Sequence, residues 1–348
     1  MVTAGNNARK TESILKTIEA GINVLADKPM VITPGEFPQL EQAFKVAAEK
    51  GVMLYDIMTG RHEITNIIQR ELSMIPEVFG NLQQGTLEEP ALIKESVHHF
   101  FKYVSGSPLI RPAWYFDVEQ QGEGIVDVTT HLVDLNQWEA FPEVTLKKED
   151  VEIISASRWT TDLTPEMFQR VTGMNSYPDY LKKDLDGDIL KVYSNGEINY
   201  KLKGIHAKVS VVWNYEAPEG TGDTHYSIMR GTQCNLIIKQ GEEEGFKPTL
   251  YAEALAGVDT DAFNSALEKA VREDLNAKYP GLELRKLDNA HWVIDIPDKY
   301  KVGHEAHFGQ VTEKYLDFLA KGEMPEWEVP NMIVKYYTTT EGMKTAMK

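Results

Sequence analysis

Apolar residues follow two textures along the chain. In residues 9–20, Ile14, Leu15 and Ile18 recur at helical spacing between charged positions, and Gly21 follows, which predicts a short amphipathic helix. Residues 23–26 form a compact apolar strand that runs into Asp27, Lys28 and Pro29, where proline removes a ladder donor. A second helix is predicted over 34–49, with Phe37, Leu40, Phe44, Val46 and Ala47 on its buried side; Gly51 ends it, and a strand follows at 52–55. Strands alternating with helices of this length predict βαβ units in a parallel sheet.

A polar, helical stretch is predicted over 63–105, with Leu92, Val97, Phe100, Phe101 and Val104 spaced as one face. Beyond residue 112 the texture changes. Between 158 and 240 the sequence is rich in Val, Ile, Tyr and Trp and predicts strands at 189–193, 198–202, 207–215 and 225–240, with Ser194-Asn195-Gly196 as a hairpin turn. That pattern predicts an antiparallel sheet. Residues 259–278 and 304–321 are helical again, the latter through Phe308, Val311, Tyr315, Phe318 and Leu319.

Composition then removes several classes of function. The 348 residues carry 36 Lys and Arg against 53 Asp and Glu, a net charge of −17, so nothing favours a phosphate backbone and nucleic acid is not an expected partner. The chain is 42% apolar and 26% charged, as in ordinary globular proteins. No run approaches the roughly 20 apolar residues of a membrane span, so a soluble protein without a membrane partner is expected. Cys234 stands alone and offers neither an intrachain disulfide nor a thiolate pair for zinc. Residues 1–10 are polar and do not read as a signal peptide.

Two constellations carry candidate chemistry. Asp27-Lys28-Pro29 follows a parallel strand at its C-terminal end, where such sheets place ligands. Lys28 is there either a cation aimed into the crevice or a surface lysine of a turn. In the run GEGIVDVTTHLVD at 122–134, a helix would put Asp127 and His131 four apart and Asp134 three beyond His131, all on one face. A carboxylate one turn from an imidazole supports a general acid/base histidine; an ordinary helix-surface pair is the alternative. The apolar neighbours Ile125, Val126, Leu132, Val133 and Leu135 set the polar face along an interior cleft.

The runs AGINVLADKP, KGVMLYDIMTGRH and GEGIVDVTTHLVDL resemble the glucose-fructose oxidoreductase and inositol dehydrogenase (Gfo/Idh/MocA) family, whose members show AGKxVxxEKP and later GGxxxDxGxHxxD. RPAWYFDVEQQGEGIVD, DTHYSIMRGT and GHEAHFGQVTEKYLDFL look like a subgroup of bacterial dehydrogenases, and the resemblance extends over much of the chain. It implies an α/β fold followed by an α+β fold: a partial Rossmann parallel sheet with linking helices in 1–110, then in 111–348 an open, mainly antiparallel sheet with helices on one face, for substrate and oligomer contacts. It also implies reversible hydride transfer between NAD or NADP and a hydroxyl of a sugar, polyol or glycoside. In that scheme His131 takes the hydroxyl proton, Lys28 stabilises charge on the oxygen and Asp127 orients His131. Asn7, Asp27, Lys28 and Pro29 fall at the cofactor, while Asp134, His225, Arg230 and Trp114 are substrate candidates, with Trp213 a further aromatic for stacking on a ring. Homo-oligomers through the second sheet are implied as well. Asp27 replaces the family's glutamate and Thr129 its glycine.

A dinucleotide-binding fold opens on a strand, a G-x-G-x-x-G turn and an acidic residue about 20 positions on. None is present, and residues 2–7 (VTAGNN) resemble instead the family's fourth-strand end, VxTPN, with Asn7 on its asparagine and Lys10 where histidine is common. The expectation is a chain lacking roughly two βαβ units, on the order of 60 to 100 residues, with NAD(P) binding weakened. Two alternatives to a dehydrogenase stay open: a non-catalytic oligomerising remnant, and an NAD-assisted glycoside hydrolase. Cytoplasm is the default compartment, and periplasm if a targeting segment belongs to the missing front.

Two motifs are set aside, and no metal is expected. His304-Glu305-Ala306-His307 spaces its histidines three apart and so misses the zinc-protease pattern, leaving polar contacts near the pocket or a structural role. Asp184, Asp186 and Asp188 lack the glycine and glutamate positions of a calcium loop.

Overall fold

Three short parallel strands, β1 (Val2–Thr3), β2 (Val24–Asp27) and β3 (Leu54–Ile57), lie side by side in that order in the computed structural model, which describes residues 1–104 and 106–348. Helices α1 (Lys10–Glu19) and α2 (Phe37–Lys50) connect them, as the periodicity predicts. Gly51 closes α2 at φ +64°, a left-handed conformation that turns its amide back to the Ala47 and Ala48 carbonyls.

The chain continues through α3 (Ile64–Ser73), β4 (Leu92–Phe101) and α4 (Thr129–Ala140). Six strands follow: β5 (Val151–Leu163), β6 (Ile189–Leu202), β7 (Ile205–Glu216), β8 (Thr224–Arg230), β9 (Cys234–Gln240) and β10 (Thr249–Ala254). Then come α5 (Thr260–Lys269), β11 (Glu283–Lys286), β12 (His291–Asp295), α6 (His304–Lys321) and α7 (Glu328–Ala346). The second sheet runs β11-β12-β10-β9-β8-β4-β7-β6-β5. It is antiparallel except where β4 lies parallel to β7.

Three cores hold these layers. One joins α3, α4 and α5 to the large sheet through residues such as Ile68, Val133, Tyr200, Leu236 and Leu267. Another surrounds the parallel strands and takes Val311, Tyr315 and Phe318 from α6 and Met332 and Tyr336 from α7, so the last two helices pack back on the first sheet. A third, around Phe100, Phe116, Phe168 and Trp213, closes one end of the large sheet.

Several sequence expectations change here. Residues 92–101 are not helical: they form β4 at the centre of the large sheet, on the N-terminal side of the division drawn at 110, while Ser105 lies outside the described residues. Burial over residues 92–97 of β4 alternates with a period of two, but the buried positions include Lys94 and Ser96, so hydrophobicity alone conceals the alternation. Ser194-Asn195-Gly196 is not a turn but the middle of the continuous strand β6. A Cβ on Gly196 would lie 2.5 Å from the Ile125 Cβ, so close packing, not turn geometry, calls for glycine. The predicted strand 225–240 is broken into β8 and β9.

Candidate active site

Beyond the C-terminal ends of β1–β3 lies a cavity of about 510 Å³, the position where open parallel sheets place ligands. The strand ends contribute Gly5, Asn7, Asp27, Lys28 and Thr59; Asp127 and His131 face them from the start of α4, with Trp114, Tyr115, His98 and Trp213 along one wall and His304 from the first turn of α6. The structure therefore brings Asn7, Asp27, Lys28, Trp114, Asp127 and His131 together. Pro29, Asp134, His225 and Arg230 do not line this cavity.

Asp127 is not a helical residue. It occupies the turn before α4, its amide donating to the Glu123 carbonyl at 3.0 Å. Gly124 anchors that turn against β6: a Cβ there would lie 1.8 Å from the Ser194 carbonyl oxygen. So placed, Asp127 accepts from Lys28 Nζ at 2.6 Å and from Gln121 Nε2 at 3.0 Å. This corrects the expected Asp127–His131 pair: the carboxylate holds the lysine. Both side chains of the ion pair are largely buried, at 16% and 8% exposure, so its attraction is screened far less than at a surface.

Burial holds the His131 imidazole well below its ordinary pKa, and the nearby Lys28 charge adds to this, against an upward pull from Asp134. The ring is neutral. A further lysine, which periodicity passes over, sits behind the pair: Lys10 is 3% exposed and donates to the Asp27 carbonyl at 2.9 Å. Burial pushes its pKa down to about 8, with Asp27 opposing and Lys28 reinforcing the shift. Its place in the front motif is the one sequence signal that marks it.

The aromatic wall is built by stacking. Trp213 lies 5.0 Å from Phe100 and 4.9 Å from His98 between ring centroids, and its amide donates to Asn195 Oδ1 at 2.6 Å. His98 bridges Asp223 at 3.2 Å and the Ser96 hydroxyl at 3.0 Å. Trp213 is thus 8% exposed and covered by its stacking partners, whereas Trp114 is only half-buried and is the freer aromatic surface of the wall.

Asp134 belongs to a buried charge cluster beneath the cavity. Its carboxylate accepts two bonds of 2.7 Å from Arg61 and one of 2.9 Å from Lys335, which also reaches Asp56 at 2.7 Å; Arg61 in turn meets Glu328 at 2.9 Å. These contacts leave Asp134 no free face for substrate. Arg230 donates to the Pro90 carbonyl at the far end of β8. His225 lines an adjoining cavity of about 320 Å³, together with His304 and His307.

The residues present suit one end of a nicotinamide dinucleotide. Asn7 is 4% exposed, its Nδ2 donates to the Gln121 carbonyl at 2.6 Å, and its Oδ1 is buried without a partner among the described residues, an acceptor for a carboxamide N–H. No G-x-G-x-x-G turn occurs in the 348 residues to receive the pyrophosphate. Among the described residues, no group of three or more His, Cys, Asp and Glu could hold a metal, and no helix is long and apolar enough to cross a membrane.

Residues 68–347 match the family described as "Putative oxidoreductase C terminal domain". The chain is similar to the solved structure of a "putative oxidoreductase" from Parabacteroides merdae, with 57% identity and a TM-score of 0.98 over all of this chain and 79% of that one. It shares its fold with levoglucosan dehydrogenase solved in complex with NADH, at 11% identity and a TM-score of 0.63 over 99% of this chain and 77% of that one. It also shares it with KijD10, a 3-ketoreductase from Actinomadura kijaniata solved with NADP, at 13% identity and a TM-score of 0.57 over 99% of this chain and 77% of that one. No curated protein matches the chain.

Proposed function

The chain belongs to the Gfo/Idh/MocA oxidoreductases, and from that premise we propose that it transfers a hydride between a hydroxyl-bearing carbon of a sugar, polyol or glycoside and a nicotinamide cofactor. One observation carries the reading: Lys28 and a neutral His131 line the same cavity at the ends of the parallel strands. Levoglucosan dehydrogenase, solved with NADH and levoglucosan, and KijD10, solved with NADP, support a nicotinamide and a sugar-like substrate.

When bound, the cofactor accepts or returns the hydride. The chain's own residues handle the proton and the charge. His131, being neutral, has a lone pair free to take the hydroxyl proton as the C–H bond breaks. Lys28 donates to the oxygen and stabilises the negative charge that develops there. Asp127 holds Lys28 from behind, at 2.6 Å, and fixes where its ammonium points. Lys10 holds the Asp27 carbonyl and with it the turn that carries Lys28. Asn7 would receive the carboxamide end, and Trp114 the sugar face, with Trp213 packed behind the wall. The cofactor phosphates find no glycine-rich turn in these residues, so we expect NAD(P) to bind weakly to this chain.

The test follows reduced nicotinamide by absorbance, with NAD and NADP against a panel of sugars, polyols and glycosides, for this chain and for the Parabacteroides merdae protein. Reduction by either protein that disappears on Lys28→Met and His131→Phe supports the assignment. Absence of reduction by both, across the panel, overturns it.

A further inference from the structure

The adjoining cavity is not consumed by the proton chemistry, yet it opens off the same cleft. It shares Thr59, Gly60, His98, Val128, His131 and His304 with the reaction cavity, so the two, of about 510 and 320 Å³, meet at the His131 ring. We propose that this second chamber is a subsite for a second, uncharged sugar ring, making the substrate a neutral two-unit glycoside. The proposal rests on the oxidoreductase reading above and deepens it.

Two buried polar atoms in the chamber lack partners among the described residues: Asn66 Oδ1 and His225 Nε2. The Asn66 side chain is fixed, since its Nδ2 donates to the Gly60 carbonyl at 2.9 Å and the residue is 6% exposed. Its orphan oxygen is an acceptor only. His225 is neutral, its pKa pushed down to about 3 by burial with Lys94 adding to the effect, so Nε2 can donate or accept according to tautomer. Buried polar groups are normally satisfied, and two exceptions lining one void point to a ligand that supplies both a donor and an adaptable partner. Vicinal hydroxyls do that; a purely apolar group leaves both atoms unpaired.

Charge narrows the ligand further. The chamber is lined by the carboxylates of Glu63 and Asp223 and by no lysine or arginine. Glu63 caps α3, accepting from the Thr65 and Asn66 amides, and Asp223 is gripped by Lys102 and His98. A phosphate placed here would meet the Glu63 carboxylate and an Asp223 whose charge is already paired with Lys102, with no lysine or arginine on the lining to receive it, which disfavours sugar phosphates and nucleotide sugars. The aromatic wall lies in the other cavity, so the ring to be oxidised stacks there and the second ring extends past His131.

Calorimetric titration of the 348-residue chain distinguishes the outcomes without relying on turnover. The ligands are methyl glycosides of glucose, galactose and mannose, disaccharides built from the same units, and glucose 1-phosphate. At least one disaccharide is expected to bind tenfold or more tighter than its methyl glycoside. Asn66→Ser and His225→Phe should each lower that ratio at least threefold, in variants whose circular dichroism and melting show a folded chain. A ratio near one for every disaccharide, a ratio that neither variant changes, or tighter binding of glucose 1-phosphate overturns the subsite while leaving the first cavity's reading intact. If no sugar of either size binds, the sugar reading of the reaction cavity falls and the subsite with it.

Discussion

Asp134 is the residue on which sequence and structure part most sharply, and Asp134→Asn tests the structural placement. Arg61, Lys335 and Lys314 face Asp56, Asp134 and Glu328 in one network, three cations against three carboxylates. All but Lys314 have side chains at most 5% exposed. Removing one charge leaves a buried excess cation. Breaking a buried pair costs about 3–5 kcal/mol, and since the asparagine oxygen still accepts one hydrogen bond, the lower end applies. At about 2 °C per kcal/mol for a chain of this size, melting should fall by about 6 °C at pH 7. Burial pushes the Asp134 carboxyl up, but Arg61 and then Lys335 outweigh it and hold it well below the usual carboxylate range. A carboxylate with a depressed folded value stabilises the protein at every pH above its unfolded value of about 3.9, and that contribution is lost as pH falls toward the folded value. The gap between wild type and Asp134→Asn should therefore be constant from pH 7 to about 5 and shrink below about pH 4. Calorimetric melting across that range is the assay. A variant melting within about 1 °C of wild type at pH 7, or a gap that persists undiminished at the acid end, refutes the reasoning.

Three further outcomes are expected. Lys28→Met should lower the rate of hydride transfer by about 10² to 10³, the usual loss for a donor at a developing oxyanion, and Lys28→Met/Asp127→Asn should regain the stability of the broken pair without regaining rate; steady-state kinetics and melting curves check both halves. Lys10 has a folded pKa of about 8 against an unfolded value of about 10.4. Between those values the unfolded chain binds more protons, so wild-type stability relative to Lys10→Met should rise with pH across that window, by up to ~3 kcal/mol; a difference flat in pH from urea titrations would contradict the burial of this lysine. Gly196→Ala should destabilise the fold by roughly 1–3 kcal/mol or more, since its Cβ would overlap Ile125, whereas a Gly204→Ala control meets nothing within 4 Å and is limited to the strain of its φ of +82°.

How much of this was legible in the sequence depended on whether the buried residues were apolar. The parallel units could be read because Ile14, Ile18, Leu40 and Phe44 are both hydrophobic and buried. β4 could not, because its inward positions include Lys94, paired with Glu139 at 2.5 Å and bonded to Ser227 and Gln69, and Ser96. The apolar residues that remained mimicked a helical stripe. The same cause hid α7, whose buried face includes Glu328, Asn331, Lys335 and three threonines. Lys28, Asp127 and His131 were legible as chemistry, through their motifs. Their pairing was not, since Lys28 and Asp127 are separated by 99 positions and local spacing favoured His131 as the partner.

The fold resolves that ambiguity from outside the cavity. Asp127 meets Lys28 only if the turn before α4 is held at a fixed distance from the end of β2, and two independent restraints do this. Gly124 packs against the Ser194 carbonyl with no room for a side chain, tying the turn to the large sheet. Asp134, two helical turns on, is clamped by Arg61 beyond the end of β3 and by Lys335 of α7, tying α4 to the parallel sheet. A hydrophobic contact can slide with little change in energy, whereas a bidentate guanidinium–carboxylate pair in a dry interior has one geometry. The buried cluster thus fixes the register between the two sheets, and the register places a lysine from one and an imidazole facing the other on a common cavity. The cluster's residues lie close to that cavity yet line none of its surface, so under the proposed function they position the catalytic groups without touching substrate.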